Sequence, residues 1–381
     1  MSETSQPALP IGTRVFPARR RVALVHDYLV QDGGAERVLG VLQDMFPDAP
    51  TFVLIYDPER SHGRFKGRVI RTSFLDGWPL SHRAYQWYLP FMPMAVEHLD
   101  LSGFDLVISS SSSFAKGVIA APESTHICYC HTPTRFLWQE RLGYLNDLPQ
   151  PAIMRMLLPP LLHNLRQWDR LAAERPDFLV TNSRTSQGRI KRYYGRETWV
   201  IHPPVDVSGI SVATGPGSYW LCGGRLVGYK RFDLVVRAFA KLNLPLKIFG
   251  IGPEMKKLRA FAGAKTEFVG HVSDEEKAAL YRDAIGFISP QIEDFGITVV
   301  EAMAAGRPVI TYGQGGAKET VIPGVTGIHL ETQSWEDIGD AVIRFDPTQF
   351  DPKTIRAHAE AFSTERFAEQ MRAYIDHALA R

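Results

Sequence analysis

The sequence predicts an α/β protein built from two doubly wound parallel-sheet domains. Three observations carry this expectation. The chain has 381 residues, more than one typical core accommodates. Short apolar runs alternate with helix-length segments through each half, the pattern of a parallel sheet covered on both faces. The alternation then restarts after a Pro-Pro joint at 200–206, so the two domains are expected to face one another across a central cleft.

The elements follow in order. "RVALVHDYL" (21–29) opens with a strand, and "VQDGGAERVLGVLQDMF" continues as a Gly-Gly turn and a helix whose apolar face holds Val38, Leu39, Val41, Leu42 and Met45. Further buried strands are expected at 51–57, 105–112, 125–131 and 177–183. In the second half, strands are expected at 219–224, 246–252, 267–272 and in "IGFISP", with helices at 230–242 and in "DEEKAALYRDA". The expected division is a disordered lead-in at 1–20, an N-terminal domain at 21–205, a C-terminal domain at 206–360 and a closing helix at 361–381 that packs back toward the N-terminal domain.

Composition excludes several classes. With 45% hydrophobic and 22% charged residues the chain is an ordinary globular one, and a formal net charge of +2 gives no global case for nucleic-acid binding. Cys128, Cys130 and Cys222 form neither a disulfide framework nor a zinc pattern, and they read as small buried side chains in a reducing compartment. No apolar run reaches the ~20 residues that span a bilayer. The reading is a soluble or peripheral protein without a signal peptide.

Four segments carry candidate chemistry. "EDFGITVVEAMAAGRPVI" (293–310) sets Glu293 before a helix and Glu301 within it, eight positions apart. The backbone N–H groups around Asp294, Phe295, Gly296 and Ile297 would point out of that helix start toward phosphate or sugar hydroxyls. A carboxylate is also the usual partner of a ribose diol. The plain alternative is that Glu293 and Asp294 complement the helix dipole and Glu301 lies on a solvated face. "CGGRLVGYKRFD" (222–233) offers Arg225 and Lys230 to a diphosphate after a glycine-ended strand. "DGGAERV" (32–38) lifts backbone at Gly33 and Gly34, and His131 ends the strand in "CYCHTPTRFLW", where it can hydrogen-bond a sugar hydroxyl.

Together these segments resemble the retaining glycosyltransferases of family 4, which have the GT-B fold. The resemblance runs from about Val22 to the C-terminal helix, and its most specific part is the Glu293/Glu301 pair. It implies that Glu301 holds the nucleotide ribose, Glu293 lies against the donor sugar, Arg225 and Lys230 grip the diphosphate, Gly33 and Gly34 approach it, and His131 contacts the sugar near the reacting carbon. His131, Lys230, Arg225 and Glu293 are thus the catalytic candidates. "CYCHTPTRFLW" with "SSSSFAKGV" is more narrowly similar to bacterial mannosyltransferases of O-antigen and exopolysaccharide assembly. That similarity implies GDP-mannose as donor, a polyprenyl-diphosphate-linked saccharide as acceptor, no metal and no other cofactor. The Asp after Glu293, where many relatives carry proline or glycine, is a departure. "FLDGWPLSHRAYQWYLPFMPM" (74–94) interleaves basic and aromatic residues, which suits the inner face of a cytoplasmic membrane or a helix buried in the N-terminal domain. A UDP-sugar donor, a sugar-nucleotide 2-epimerase and a non-catalytic sugar-nucleotide binder are the competing readings.

Overall fold

The computed structural model describes residues 20–139 and 152–380, so the expected lead-in lies outside the described residues apart from Arg20. The chain divides into two compact units, one of residues 1–202 with 367–381 and one of residues 203–366.

The first unit contains a seven-stranded parallel sheet in the order β3-β2-β1-β4-β5-β6-β7. Its elements are β1 (Val22–His26), α1 (Gly34–Met45), β2 (Thr51–Val53), β3 (Ile70–Thr72), β4 (Leu106–Ser111), β5 (Thr125–Cys130), α2 (Ala152–Ala172), β6 (Phe178–Thr181), α3 (Arg184–Tyr194) and β7 (Trp199–Val200). Side chains alternate across the sheet as the pleat requires. Leu24 joins Val38, Leu39 and Leu42 of α1 in one core, while Ala23 and Val25 join Leu75, Leu89 and Met92 in another. The C-terminal helix supplies Phe367, Met371, Tyr374 and Ile375 to the first of these cores, on the i, i+4 spacing of one helix face.

The second unit holds a six-stranded parallel sheet ordered β10-β9-β8-β11-β12-β13. It comprises β8 (Tyr219–Gly223), α4 (Phe232–Leu242), β9 (Leu246–Phe249), β10 (Thr266–Gly270), α5 (Asp274–Asp283), β11 (Ala284–Ser289), α6 (Ile297–Ala304), β12 (Val309–Tyr312) and β13 (Gly327–Leu330), and α7 (Thr364–Leu379) closes the chain. Trp220, Cys222, Ile248 and Ile288 pack beneath Leu234, Val235 and Phe239 of α4, and Leu221, Phe249 and Phe287 pack against Val299, Val300 and Met303 of α6. The three cysteines are buried and unbridged.

Several expectations need correction. The strand expected at 51–57 ends at Val53, because residues 54–57 turn to bond with 27–29 through Leu54 N to Asp27 O and Asp57 N to Leu29 O. The helix expected from 230 begins at Phe232, since Arg231 takes a left-handed conformation that a helix cannot include. β3, β7, β12 and β13, of two to four residues each, escaped the pattern. The 74–94 stretch is a series of single turns and short helices, with Leu75, Leu89 and Met92 inward and Phe74, Leu80, Trp87 and Phe91 exposed. It is therefore neither a buried helix nor wholly a surface. Among the described residues no helix is long and apolar enough to cross a membrane.

Candidate active site

In both sheets the strand order reverses direction at one point, between β1 and β4 and between β8 and β11. Loops leaving the carboxyl ends of such strands diverge, and the crevice they leave is where open α/β sheets bind ligands. The predicted residues fall on those ends, in each unit separately.

In the second unit, β8 runs out at Gly223 and Gly224 adopts φ +130°, a conformation that favours glycine. The neighbouring loop presses close: a Cβ at Gly250, itself at φ +105°, would lie 1.9 Å from Gly224 O. A tight turn at Gly228–Lys230 then carries the lysine back toward Gly224, where an added Cβ would meet Lys230 Nζ at 3.3 Å. Lys230 Nζ pairs with Glu293 Oε1 at 2.9 Å, with side chains only 13% and 18% exposed. Gln291 Nε2 donates to the same oxygen at 3.2 Å. Lys230 and Glu293, 63 positions apart, are thus one ion pair at the ends of β8 and β11. Arg225 lies exposed on the same loop as Lys230.

The Glu293 segment is held from beneath. Gly316 N donates to Glu293 O at 2.8 Å, and a Cβ at Gly315 or Gly316 would lie 2.3 Å from Glu293 O or 2.4 Å from Phe295 Cα. Gly315 and Gly316 were not among the predicted residues, although a glycine pair at the end of the apolar run "VITY" repeats the signal of Gly33 and Gly34. Asp294 and Phe295 are buried, and Gly296, at φ +95°, caps α6. Val299 N and Val300 N bond to Gly296 O, so the first amides of the helix, from Ile297, have no carbonyl partner within the helix.

Glu301 is not on a solvated face. It is 2% exposed, and α5 supplies two of its partners: Lys277 Nζ reaches Oε1 at 2.9 Å and Tyr281 Oη donates to Oε2 at 3.0 Å. Lys277 and Tyr281 stand four residues apart on one helix face, a spacing readable in the sequence once the target carboxylate is known.

In the first unit, Gly33 precedes α1 in extended conformation and Gly34 begins the helix. His131 follows β5, 8% exposed, with Nε2 2.9 Å from Ser110 Oγ. Burial and the neighbouring His26 push its pKa down to about 3, so the ring is neutral at physiological pH. Asp27, next in chain to His26, accepts from the backbone N–H groups of Ser112, Ser113, Phe114 and Ala115 at 2.6–3.0 Å. That clamp ties the end of β1 to the "SSSSFAKGV" loop. Lys116 in the same loop is buried against Asp169 at 2.6 Å, and Asp169 also accepts from Thr134, Trp138 and Tyr194. A cavity of about 710 Å³ in the second unit lies elsewhere, bounded by Tyr219, Lys247, His271, Arg282 and Arg307, none of them predicted. Among the described residues no group of three or more His, Cys, Asp or Glu is placed to hold a metal ion.

Comparison with known proteins decides the family. Residues 32–208 match the model described as Glycosyltransferase Family 4, and residues 214–351 match Glycosyl transferases group 1. The chain belongs to the family 4 glycosyltransferases. This glycosyltransferase is 25% identical over 203 residues to an uncharacterized glycosyltransferase of Methanocaldococcus jannaschii, covering 52% of this chain and 58% of that protein. It is 34% identical over 140 residues to the GDP-mannose-dependent alpha-(1-6)-phosphatidylinositol monomannoside mannosyltransferase of Mycobacterium tuberculosis, covering 32% of this chain and 36% of the relative. The chain thus spans about half the length, or less, of the curated relatives it matches. Among solved structures it is similar to sucrose-phosphate synthase from Thermosynechococcus elongatus (TM-score 0.72, 18% identity, 95% of this chain and 100% of that one). It is also similar to Anabaena Alr3699/HepE in complex with UDP-glucose (TM-score 0.70, 17% identity, 94% and 100%). Those structural likenesses establish the GT-B fold of the glycosyltransferase.

Proposed function

We propose that this glycosyltransferase moves mannose from GDP-mannose to a polyprenyl-diphosphate-linked oligosaccharide, with retention at the anomeric carbon and without a metal ion. The Lys230–Glu293 pair at the switch point of the second sheet is the observation that carries a nucleotide-sugar reading: a poised cation where a diphosphate would lie, beside a carboxylate where a sugar hydroxyl would lie. In this reading Lys230 and Arg225 stabilise the departing diphosphate, which is where charge develops in the transition state. The acceptor oxygen forms the new bond to the anomeric carbon as the bond to the diphosphate oxygen breaks, and the acceptor proton passes to that leaving oxygen. Glu301 takes the ribose hydroxyls. In the second unit Gly296 and Ile297 supply backbone to the donor, and in the first unit His131 offers a ring nitrogen to a saccharide hydroxyl.

The mannose assignment draws on the similarity to the mycobacterial mannosyltransferase. A UDP-sugar donor is the second reading, favoured by the fold shared with a protein solved with UDP-glucose. Titration calorimetry with GDP-mannose, GDP-fucose, UDP-glucose and UDP-N-acetylglucosamine separates them. Binding of GDP-mannose alone, lost in Glu301→Ala, is the expected result; binding of a UDP-sugar instead would overturn the donor, and binding of none would overturn the site. Release of GDP with a glycosylated lipid product in excess EDTA is expected, and a strict divalent-metal requirement would refute the metal-free mechanism.

Membrane contact at the inner face belongs to the same proposal. Phe74, Leu80, Trp87, Phe91 and Met94 are exposed alongside Arg83 and His98, an apolar and basic mixture suited to a lipid interface. Flotation with anionic liposomes should carry the protein upward, and Trp87→Ala with Leu80→Ser should reduce it; no lipid-dependent flotation would reject the membrane surface.

A further inference from the structure

The carboxylate of Glu293 bears on any anion that Lys230 takes. Glu293 Oε1 sits 2.9 Å from Lys230 Nζ, and both side chains are mostly buried. The carboxylate belongs to a fixed segment. Glu293 O accepts from Gly316 N at 2.8 Å, Glu293 pairs with Gly315 in an isolated parallel bridge, and Gln291, 2% exposed, donates through Nε2 to Glu293 Oε1 at 3.2 Å. The lysine is confined too. It ends the tight turn Gly228–Lys230, is followed by Arg231 in a left-handed conformation, and places Nζ 3.3 Å from where a Cβ on Gly224 would be.

Such a lysine can take an anion in two ways. If the ammonium keeps its pair with Glu293, an anion oxygen in contact with it lies within ~3 Å of Nζ and so at most ~6 Å from Glu293 Oε1. Like charges at that separation, in a site this little exposed, repel strongly. If the ammonium turns away to the anion, a mostly buried carboxylate loses this cation, which is also unfavourable. Both ways have the same sign: the carboxylate opposes the anion.

A free nucleoside diphosphate and a nucleotide sugar differ at the terminal phosphate. In the free diphosphate that group has a second ionisation near pH ~6 and carries about one more negative charge at neutral pH. In the nucleotide sugar the same oxygen is esterified, and the sugar presents hydroxyls that donate to a carboxylate. We propose that Glu293 is a specificity-determining residue that selects a nucleotide sugar against the free nucleoside diphosphate, and so weakens retention of the diphosphate product. This role rests on the reading that a donor diphosphate lies at Lys230. It goes beyond a sugar contact, because it assigns Glu293 an unfavourable interaction with one ligand as well as a favourable one with the other.

The test is titration calorimetry of the full chain with GDP, UDP, GDP-mannose and UDP-glucose at neutral pH, in the parent, Glu293→Gln and Glu293→Asp. For the nucleoside whose compounds bind the parent, Glu293→Gln should lower the Kd of the diphosphate about tenfold or more, the effect of removing a like charge, and raise the Kd of the nucleotide sugar. Glu293→Asp keeps the charge and should bind the diphosphate much as the parent does. Glu293→Ser, a second neutral variant, carries the same expectation as Glu293→Gln should that variant fail to fold. Diphosphate binding that is unchanged or weaker in the neutral variant, or that tightens as much in Glu293→Asp, would overturn the selective role while leaving the nucleotide-sugar reading in place. A parent protein that binds neither the diphosphates nor the nucleotide sugars would overturn that reading and the selective role with it.

Discussion

Replacing Lys277 by methionine tests how Glu301 is held. Glu301 Oε1 meets Lys277 Nζ at 2.9 Å, and the two side chains are 3% and 13% exposed. Water cannot substitute for the lost ammonium around so buried a carboxylate, and breaking such a pair from one side typically costs ~3–5 kcal/mol. Tyr281→Phe removes one hydrogen bond to a charged oxygen and should cost less, ~1.5–3 kcal/mol. The double variant Lys277→Met with Glu301→Gln removes the stranded charge while leaving an oxygen for Tyr281, and it should return to within ~2 kcal/mol of the parent. Urea denaturation followed by hydrogen exchange of peptides from α5 and α6 measures these values in the second unit. The double-mutant cycle isolates the coupling between the two residues. A cost below ~0.5 kcal/mol for Lys277→Met, the range of ordinary surface changes, would refute the reasoning, as would a double variant that simply adds the two single costs.

Three further outcomes follow from the same geometry. Lys230→Ala should lower kcat by ~10²–10³-fold, the range for losing one charge-stabilising donor, and steady-state kinetics showing a raised KM with kcat intact would remove Lys230 from the catalytic group. Gly250→Ala combines a φ of +105° with a 1.9 Å approach to Gly224 O, so it should destabilise the second unit by more than the ~1–2 kcal/mol of left-handed strain alone; thermal unfolding within error of the parent would contradict the packing of these loops. His126 and His131 are held near pKa 3 by burial, against an ordinary 6.5. A depressed histidine pKa means that the unfolded chain binds the extra proton first, so stability is full above pH 6.5 and falls as pH drops toward 3, by ~1.4 kcal/mol per pH unit for each histidine. His126→Gln should flatten the acid limb of a stability–pH profile, and an unchanged slope would show that His126 does not titrate this way.

What the order of residues determined was the architecture and the position of the site along the chain. Apolar stretches such as Val22–Val25 and Leu106–Ile108 are legible because a buried parallel strand has apolar side chains on both faces. The site segments are legible because glycines and charged residues cluster where strands end, as at Gly223 to Lys230 and Glu293 to Gly296. Some short strands were illegible, among them β12, which hid behind Gly306 and Pro308. Pairing was beyond the sequence as well. Nothing local states that Lys230 meets Glu293, that Gly316 packs under Phe295, or that Lys277 and Tyr281 turn a helix carboxylate inward. Those contacts join residues 20 to 63 positions apart and arise only when parallel strands in the order β10-β9-β8-β11-β12-β13 bring their carboxyl ends side by side. The same holds for His26, Ser110 and His131: ordinary polar residues in sequence, which the side-by-side pairing of β1, β4 and β5 aligns because a buried hydroxyl and its imidazole neighbours must satisfy one another.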